Sequence, residues 1–193
     1  TSDRAAMNAL PVLQVCAEFF PLLKTGGLAD VCGALPGALA AQGCEMRTLL
    51  PAFPAVLRGV ADLRPVERCG VLPQGVQLLQ ARLPGASGVK GDGQSQAYLI
   101  DAPHFYAREG NPYQDAEGRA YDDNHRRFAL LGRVAASLAD GVDPAWRPQV
   151  VHGHDWHAGL APAYLRAAQQ IGGRRLAGSV FTIHNLAFQG VFG

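Results

Sequence analysis

Residues 12–43 constrain this chain more than any other stretch. Val12-Leu13-Gln14-Val15-Cys16-Ala17 is short, apolar and β-prone, whereas Leu28, Val31, Leu35 and Leu39 recur at near-helical spacing as far as Gly43. Residues 45–50 read as a second strand, ended by Pro51-Ala52-Phe53-Pro54, so the segment predicts a βαβ unit. At its first junction stands Lys24-Thr25-Gly26-Gly27-Leu28-Ala29-Asp30. Free N–H groups at a helix start, the positive end of its dipole and glycines with no side chain make a place for a phosphate or a sugar hydroxyl. Lys24 adds a mobile positive charge. A plain glycine turn with a solvated lysine would use the same residues.

The alternation continues. Residues 66–71, 76–83 and 96–100 read as short strands with a turn-rich break over 85–93, which predicts a hairpin inserted in an α/β domain. Residues 101–124 are polar, aromatic and too long for a simple connector, a pattern of binding flaps. Asp122 or Asp123 is placed to cap the next helix, whose apolar face is Phe128, Leu131, Val134 and Leu138 and whose end is Gly141. A strand over 150–152, a helix over 158–170 and a strand over 179–183 complete the series. The expected fold is a three-layer, Rossmann-like α/β domain with a mainly parallel sheet, covering residues 11–193 behind a tail at 1–10.

Composition narrows the setting. With 48% apolar and 17% charged residues the chain can bury a core, and 193 residues suit one domain. A formal net charge of +1 offers no electrostatic reason to expect nucleic acid or an acidic membrane as partner. Apolar runs are broken well before membrane-spanning length, and nothing at the start reads as a basic-then-apolar signal, which favours a cytoplasmic protein. Cys16, Cys32, Cys44 and Cys69 lack C-x-x-C spacing and read as reduced structural thiols.

Three polar clusters each follow a predicted parallel strand: residues 24–30, His154-Asp155-Trp156-His157, and His184-Asn185. In an open α/β sheet the ligand crevice lies beyond the carboxyl ends of the strands, where such segments converge. The absence of G-x-G-x-x-G after a strand and of G-x-x-x-x-G-K-[ST] disfavours a dinucleotide oxidoreductase or a P-loop phosphatase. His152-x-His154 with His157 nearby has metal-ligand spacing and keeps a metallohydrolase open, although no further ligand set is evident.

At these clusters the chain resembles a known family. Cys16-Ala17-Glu18-Phe19-Phe20-Pro21 with Lys24-Thr25-Gly26-Gly27-Leu28, then His154-Asp155-Trp156-His157-Ala158-Gly159-Leu160, then His184-Asn185-Leu186-Ala187-Phe188-Gln189-Gly190 are similar to the N-terminal domain of bacterial glycogen synthases and plant starch synthases. Asp101-Ala102-Pro103-His104 and Trp146-Arg147-Pro148 extend the match. The resemblance implies retaining transfer of glucose from ADP-glucose to the non-reducing end of an α-1,4-glucan by a two-domain GT-B fold, without metal or other cofactor. It also implies a second, nucleotide-binding domain. Ending at Gly193 and opening on Thr1-Ser2-Asp3, the chain reads as an excised domain, expected to be inactive alone.

The resemblance assigns roles. Lys24 meets the diphosphate or donor sugar, Gly26 and Gly27 bring amides to the donor, and Asp30 accepts from sugar hydroxyls or only favours the helix dipole. His184 contacts the donor glucose in the transition state, and Asn185 fixes the loop presenting it. Asp155 and Trp156 position the acceptor glucan; Tyr106 is a further acceptor-site candidate. Retention by two displacements would need a carboxylate nucleophile, for which Asp155 is the one candidate in the clusters. Same-face departure and attack suits the family better and leaves Asp155 to acceptor positioning. A non-catalytic glucan- or nucleotide-binding module is the other reading of an isolated domain.

Overall fold

The structure, a computed structural model, describes residues 9–67, 69–85 and 95–192. Its centre is β1 (Leu10–Val15), where the last four residues are buried although they alternate between the faces of the sheet. Burial on both faces is the condition of a parallel strand covered by helices. On either side of β1 lie β2 (Cys44–Pro51) and β6 (Val150–His154), both parallel to it. The sheet extends through β5 (Ser95–Asp101) beyond β2 and through β7 (Gly178–Thr182) beyond β6, again in parallel. Two antiparallel strands, β4 (Gln77–Leu83) and β3 (Ala61–Pro65), finish one edge, giving the order β3-β4-β5-β2-β1-β6-β7.

This order places the site. From β1 the chain runs through α1 (Gly27–Ala40) to β2 on one side; a short α2 (Pro54–Gly59) leads on to β3. From β5 it passes α3 (Pro103–Tyr106) and α4 (Asn124–Asp140) to reach β6, then α5 (Ala161–Gly172) to β7 on the other side. Right-handed crossovers in opposite directions put α1 on one face and α4 with α5 on the other, completing three layers. In agreement, α1 packs on β2, α4 on β1 and β2, and α5 on α4 and β6. The strand order reverses between β1 and β6, so a crevice opens where their carboxyl ends part.

One helix keeps the face its spacing predicts and one does not. In α1 Leu28 is buried, but Val31 is exposed and Leu35 and Leu39 are only partly covered. The helix instead turns Ala29, Cys32, Gly33 and Pro36 inward, small residues that let it pack closely. Phe128, Leu131, Val134 and Leu138 of α4 are all buried, and Gly141 ends the helix in the left-handed region at φ 95°. Gln14, fully buried on β1, donates from Nε2 to Cys32 O of α1 and Thr48 Oγ1 of β2, tying strand, neighbour and crossover helix together.

Several expectations need correction. Described residues within 66–71 form no strand; Gly70 N donates to Val142 O, drawing the segment toward the end of α4. The edge strand is β3 instead, five exposed residues with an irregular register between Ala61 and Arg64. Charged, bulged edges resist unwanted pairing and show no apolar alternation, which is why periodicity misses them. Residues 86–93 of the expected break lie outside the described residues, but β4 and β5 do pair as a hairpin. Residues 158–170 divide into a 3₁₀ turn, Trp156–Ala158, and α5. Asp123 stands at the start of α4, yet its carboxylate is spent on Arg108 at 2.7 and 2.6 Å, so it caps with its backbone carbonyl alone.

The connection over 101–124 is fastened down rather than free. Arg127 of α4, 1% exposed, donates to Phe105 O, Pro112 O and Asn124 Oδ1. Tyr106 is 1% exposed and its hydroxyl donates to Arg127 O at 2.7 Å, so this acceptor-site candidate is a core side chain.

Gly132 of α4 lies against the start of α5: a Cβ there would stand 2.8 Å from Ala161 N and 2.9 Å from C of Leu160, the residue before the helix. Both are backbone atoms that cannot step aside singly. Gly132→Ala is therefore expected to destabilise the domain by about 1–3 kcal/mol through overpacking, read as a lowered urea midpoint at unchanged m-value.

Candidate active site

The three strand-end clusters come together through a chain of direct contacts. After β7, the His184 and Asn185 amides donate to Asp155 Oδ1 at 2.6 and 3.4 Å. Asp155 follows β6, is buried, and adopts φ 57°, ψ −179°, a conformation rare outside glycine and costing about 1–3 kcal/mol. Its own N–H donates to Thr182 O, so the β6–β7 ladder and the His184 loop hold the strained turn from both sides. Next in sequence, half-buried Trp156 borders a cavity of about 730 Å³ shared with Phe128, Asp155, His157 and Phe188. Gly190, at φ +62°, lets the returning chain cross the indole, since a Cβ there would lie 2.7 Å from Trp156 Cε3.

From Trp156 the contacts pass to Tyr113, whose ring centroid is 6.0 Å away. The Tyr113 hydroxyl donates to Glu18 Oε1 at 2.5 Å. Glu18, 3% exposed, also accepts from Thr25 N at 2.6 Å, Thr25 Oγ1 at 2.6 Å and Gly26 N at 3.3 Å. One buried carboxylate thus occupies the first amides of the glycine loop. Gly26 and Gly27 are open in front, with nothing within 4 Å of a Cβ built on either. Lys24 Nζ reaches both oxygens of Asp30 at 2.8 and 2.7 Å in a half-exposed pair.

The histidines divide into two groups. His152 and His154 share one face of β6, as alternate strand residues must, with ring centroids 4.1 Å apart. His152 Nε2 lies 2.7 Å from Thr182 Oγ1, and His154 Nδ1 lies 2.9 Å from His184 Nε2. His157 instead stacks on Tyr113, centroids 4.6 Å and planes 16° apart. The proposed metal trio is therefore split, and among the described residues no three His, Cys, Asp or Glu side chains are placed to hold a metal ion. Burial holds the His157 pKa down to about 3, and burial reinforced by His152 and His184 does the same for His154.

With this geometry in place, the comparisons are specific. Residues 11–193 match the family model described as the starch synthase catalytic domain. The chain belongs to that family. It is 58% identical over 186 residues to a glycogen synthase of Leptothrix cholodnii, covering 94% of this chain and 37% of that protein. A glycogen synthase of Variovorax paradoxus is 59% identical over 183 residues, covering 93% and 36%. Among solved structures, the catalytic domain of starch synthase IV from Arabidopsis thaliana, bound to ADP and acarbose, superposes with a TM-score of 0.67 at 26% identity. That match covers 94% of this chain and 35% of the other. The chain spans little more than a third of the length of these relatives.

For this starch synthase domain, reading by motif missed two residues that join the clusters, Glu18 and Tyr113. Glu18 had a signal: a carboxylate just past the buried end of an apolar strand needs partners close by. Tyr113 had none, because only the folding back of 101–124 brings it there.

The buried histidines carry a pH consequence. Their folded pKa lies below the unfolded value near 6.5, so the unfolded chain binds more protons between those limits. Stability is expected to be full above about pH 6.5 and to fall as the pH drops toward about 3. Each such histidine contributes a slope of up to about 1.4 kcal/mol per pH unit. His157→Phe, which keeps the stack on Tyr113, should remove one proton's worth of that slope in urea unfolding followed from neutral to acid pH.

Proposed function

We propose that this domain is the N-terminal, acceptor-side half of an ADP-glucose-dependent glycogen or starch synthase of the GT-B type. The reaction is retaining transfer of glucose to the non-reducing end of an α-1,4-glucan. The observation that carries it is the meeting of the Lys24, Asp155 and His184 segments beyond β1, β6 and β7, linked through Trp156, Tyr113 and Glu18. Relatives named glycogen synthase and a neighbour bound to ADP and acarbose support the substrate classes.

In this reading Lys24 exchanges its Asp30 partner for the diphosphate of the donor. A half-exposed ion pair contributes about 0–1 kcal/mol, so a multiply charged phosphate displaces the carboxylate readily. Asp30 is then released toward sugar hydroxyls. Because Glu18 holds the Thr25 and Gly26 amides, the donor uses those from Gly27 onward together with the positive end of α1. The open space before Gly26 and Gly27 admits the phosphates closely.

His184 donates to the glucosyl unit as positive character grows at carbon and negative charge grows on the departing phosphate. Asp155 holds the His184 loop with Oδ1 and turns its other oxygen toward an acceptor hydroxyl; Asn185, whose Oδ1 accepts from Ala187 N, shapes that loop. Trp156 offers its indole to a sugar face beside the cavity. A second domain supplies the rest of the nucleotide site, and no divalent cation is required, since Lys24 and the helix-start amides meet the diphosphate. All four cysteines are free thiols, which supports a reducing, cytoplasmic setting.

Two outcomes test this. The domain alone is expected to incorporate no label from ADP-glucose into glycogen, whereas the same residues extended to the length of the relatives do; incorporation by the domain alone would refute the need for a partner domain.

In the extended protein, His184→Ala should lower kcat by about 10²- to 10³-fold, as for loss of one preorganised transition-state contact. Lys24→Ala should chiefly raise the KM for ADP-glucose, because a charge-assisted contact of roughly 1.5–3 kcal/mol already exists in the ground state. A His184→Ala protein that stays folded with near-normal kcat would make His184 a structural strand end.

A further inference from the structure

His154 has no task in the reaction as proposed, yet it is 1% exposed and its Nδ1 lies 2.9 Å from His184 Nε2. Two ring nitrogens at that distance share one hydrogen. Which ring supplies it determines which nitrogen of His184 is left to donate elsewhere.

The surroundings give the direction. His154 is held neutral, with its pKa pushed down to about 3 by burial and then by His152 and His184, so its ring has a single hydrogen to place. Its other nitrogen, Nε2, is buried with no partner among the described residues. The neighbouring ring, His152, directs its own Nε2 to Thr182 Oγ1. An orphaned buried N–H is rarer in folded proteins than an unused lone pair, so the hydrogen belongs on Nδ1, where an acceptor waits. The His184 main chain has a separate anchor, its N–H donating to Asp155 Oδ1. Ring and backbone of His184 are therefore fixed from different sides.

We propose that His154 is a positioning residue: it donates from Nδ1 to His184 Nε2 and so keeps the neutral form of His184 with its hydrogen on Nδ1, as the donor offered to the ligand. The tautomer follows from the domain's own geometry; its use on a glucosyl unit rests on the function proposed above.

Long-range ¹H–¹⁵N correlation spectra of the histidine-labelled chain at mildly alkaline pH read the tautomer directly. His184 is expected to show a protonated Nδ1 and a bare Nε2. His154→Asn, whose side-chain amide still donates, should preserve that pattern. His154→Asp, which accepts, should move the hydrogen to Nε2, and His154→Leu should leave the two tautomers mixed. A wild-type His184 protonated on Nε2, or a folded Leu variant with an unchanged tautomer, overturns the proposal. Should the Asp variant fail to fold, the Asn and Leu pair still decides it.

In the extended protein, His154→Asp should lose about 10²-fold in kcat with KM little changed, while His154→Asn stays near wild type. Equal losses in both would make His154 a packing residue and overturn its positioning role. If the unsubstituted extended protein transfers no glucose, the reaction reading fails, and the spectra still judge the tautomer.

Discussion

A carboxylate taken out of water governs the shape of this domain's crevice. Glu18 is nearly inaccessible, and a buried charge is tolerated only when donors surround it. Thr25 supplies two, Gly26 a third and Tyr113 the fourth. Those donors come from the threshold of α1 and the long connection before α4, and the acceptor from the exit of β1, so one compensation requirement locks three segments together. The loop carrying Lys24 is shaped before any ligand arrives. Preorganisation of this kind lets a binding contact be made without ordering the chain at that moment.

A second buried charge plays the matching part behind the site. The Arg127 guanidinium, surrounded by the carbonyls of Phe105 and Pro112 and the side-chain oxygen of Asn124, pins the 101–124 connection to α4. Burial draws its pKa below the ordinary arginine value, yet carbonyls and ring faces accept the charge. Because the connection cannot swing, Tyr113 is delivered to Glu18 on one side and to His157 and Trp156 on the other. The strained Asp155 turn has supports of its own. Its positive φ persists because the Thr182 carbonyl and the His184 and Asn185 amides hold it from opposite sides.

Alternation of short apolar runs with longer helical stretches was legible in residues 12–50 and 150–183, because a strand such as β1 that is covered on both faces is apolar along most of its length. Residue type did not mark which face α1 buries or that β7 stays largely exposed. The three polar clusters were legible for a related reason. Each follows a strand, and parallel strands must end on the same side of the sheet. By itself, then, the sequence determined the α/β class, the placing of Lys24, Asp155 and His184 at strand ends, and the pairing of His152 with His154 on one face.

Tertiary structure alone decided the rest. Edge strand β3 escaped notice because exposed, charged residues carry no period, and Tyr106 passed for a flap residue because an aromatic in a polar stretch looks the same whether it faces solvent or core. The partners of Glu18, Arg127 and His154 lie up to 95 residues away in the chain. Such pairings leave no local pattern, since a buried polar group is satisfied by whatever the fold brings within 3 Å of it, and that is settled by how the layers close, not by its neighbours in sequence.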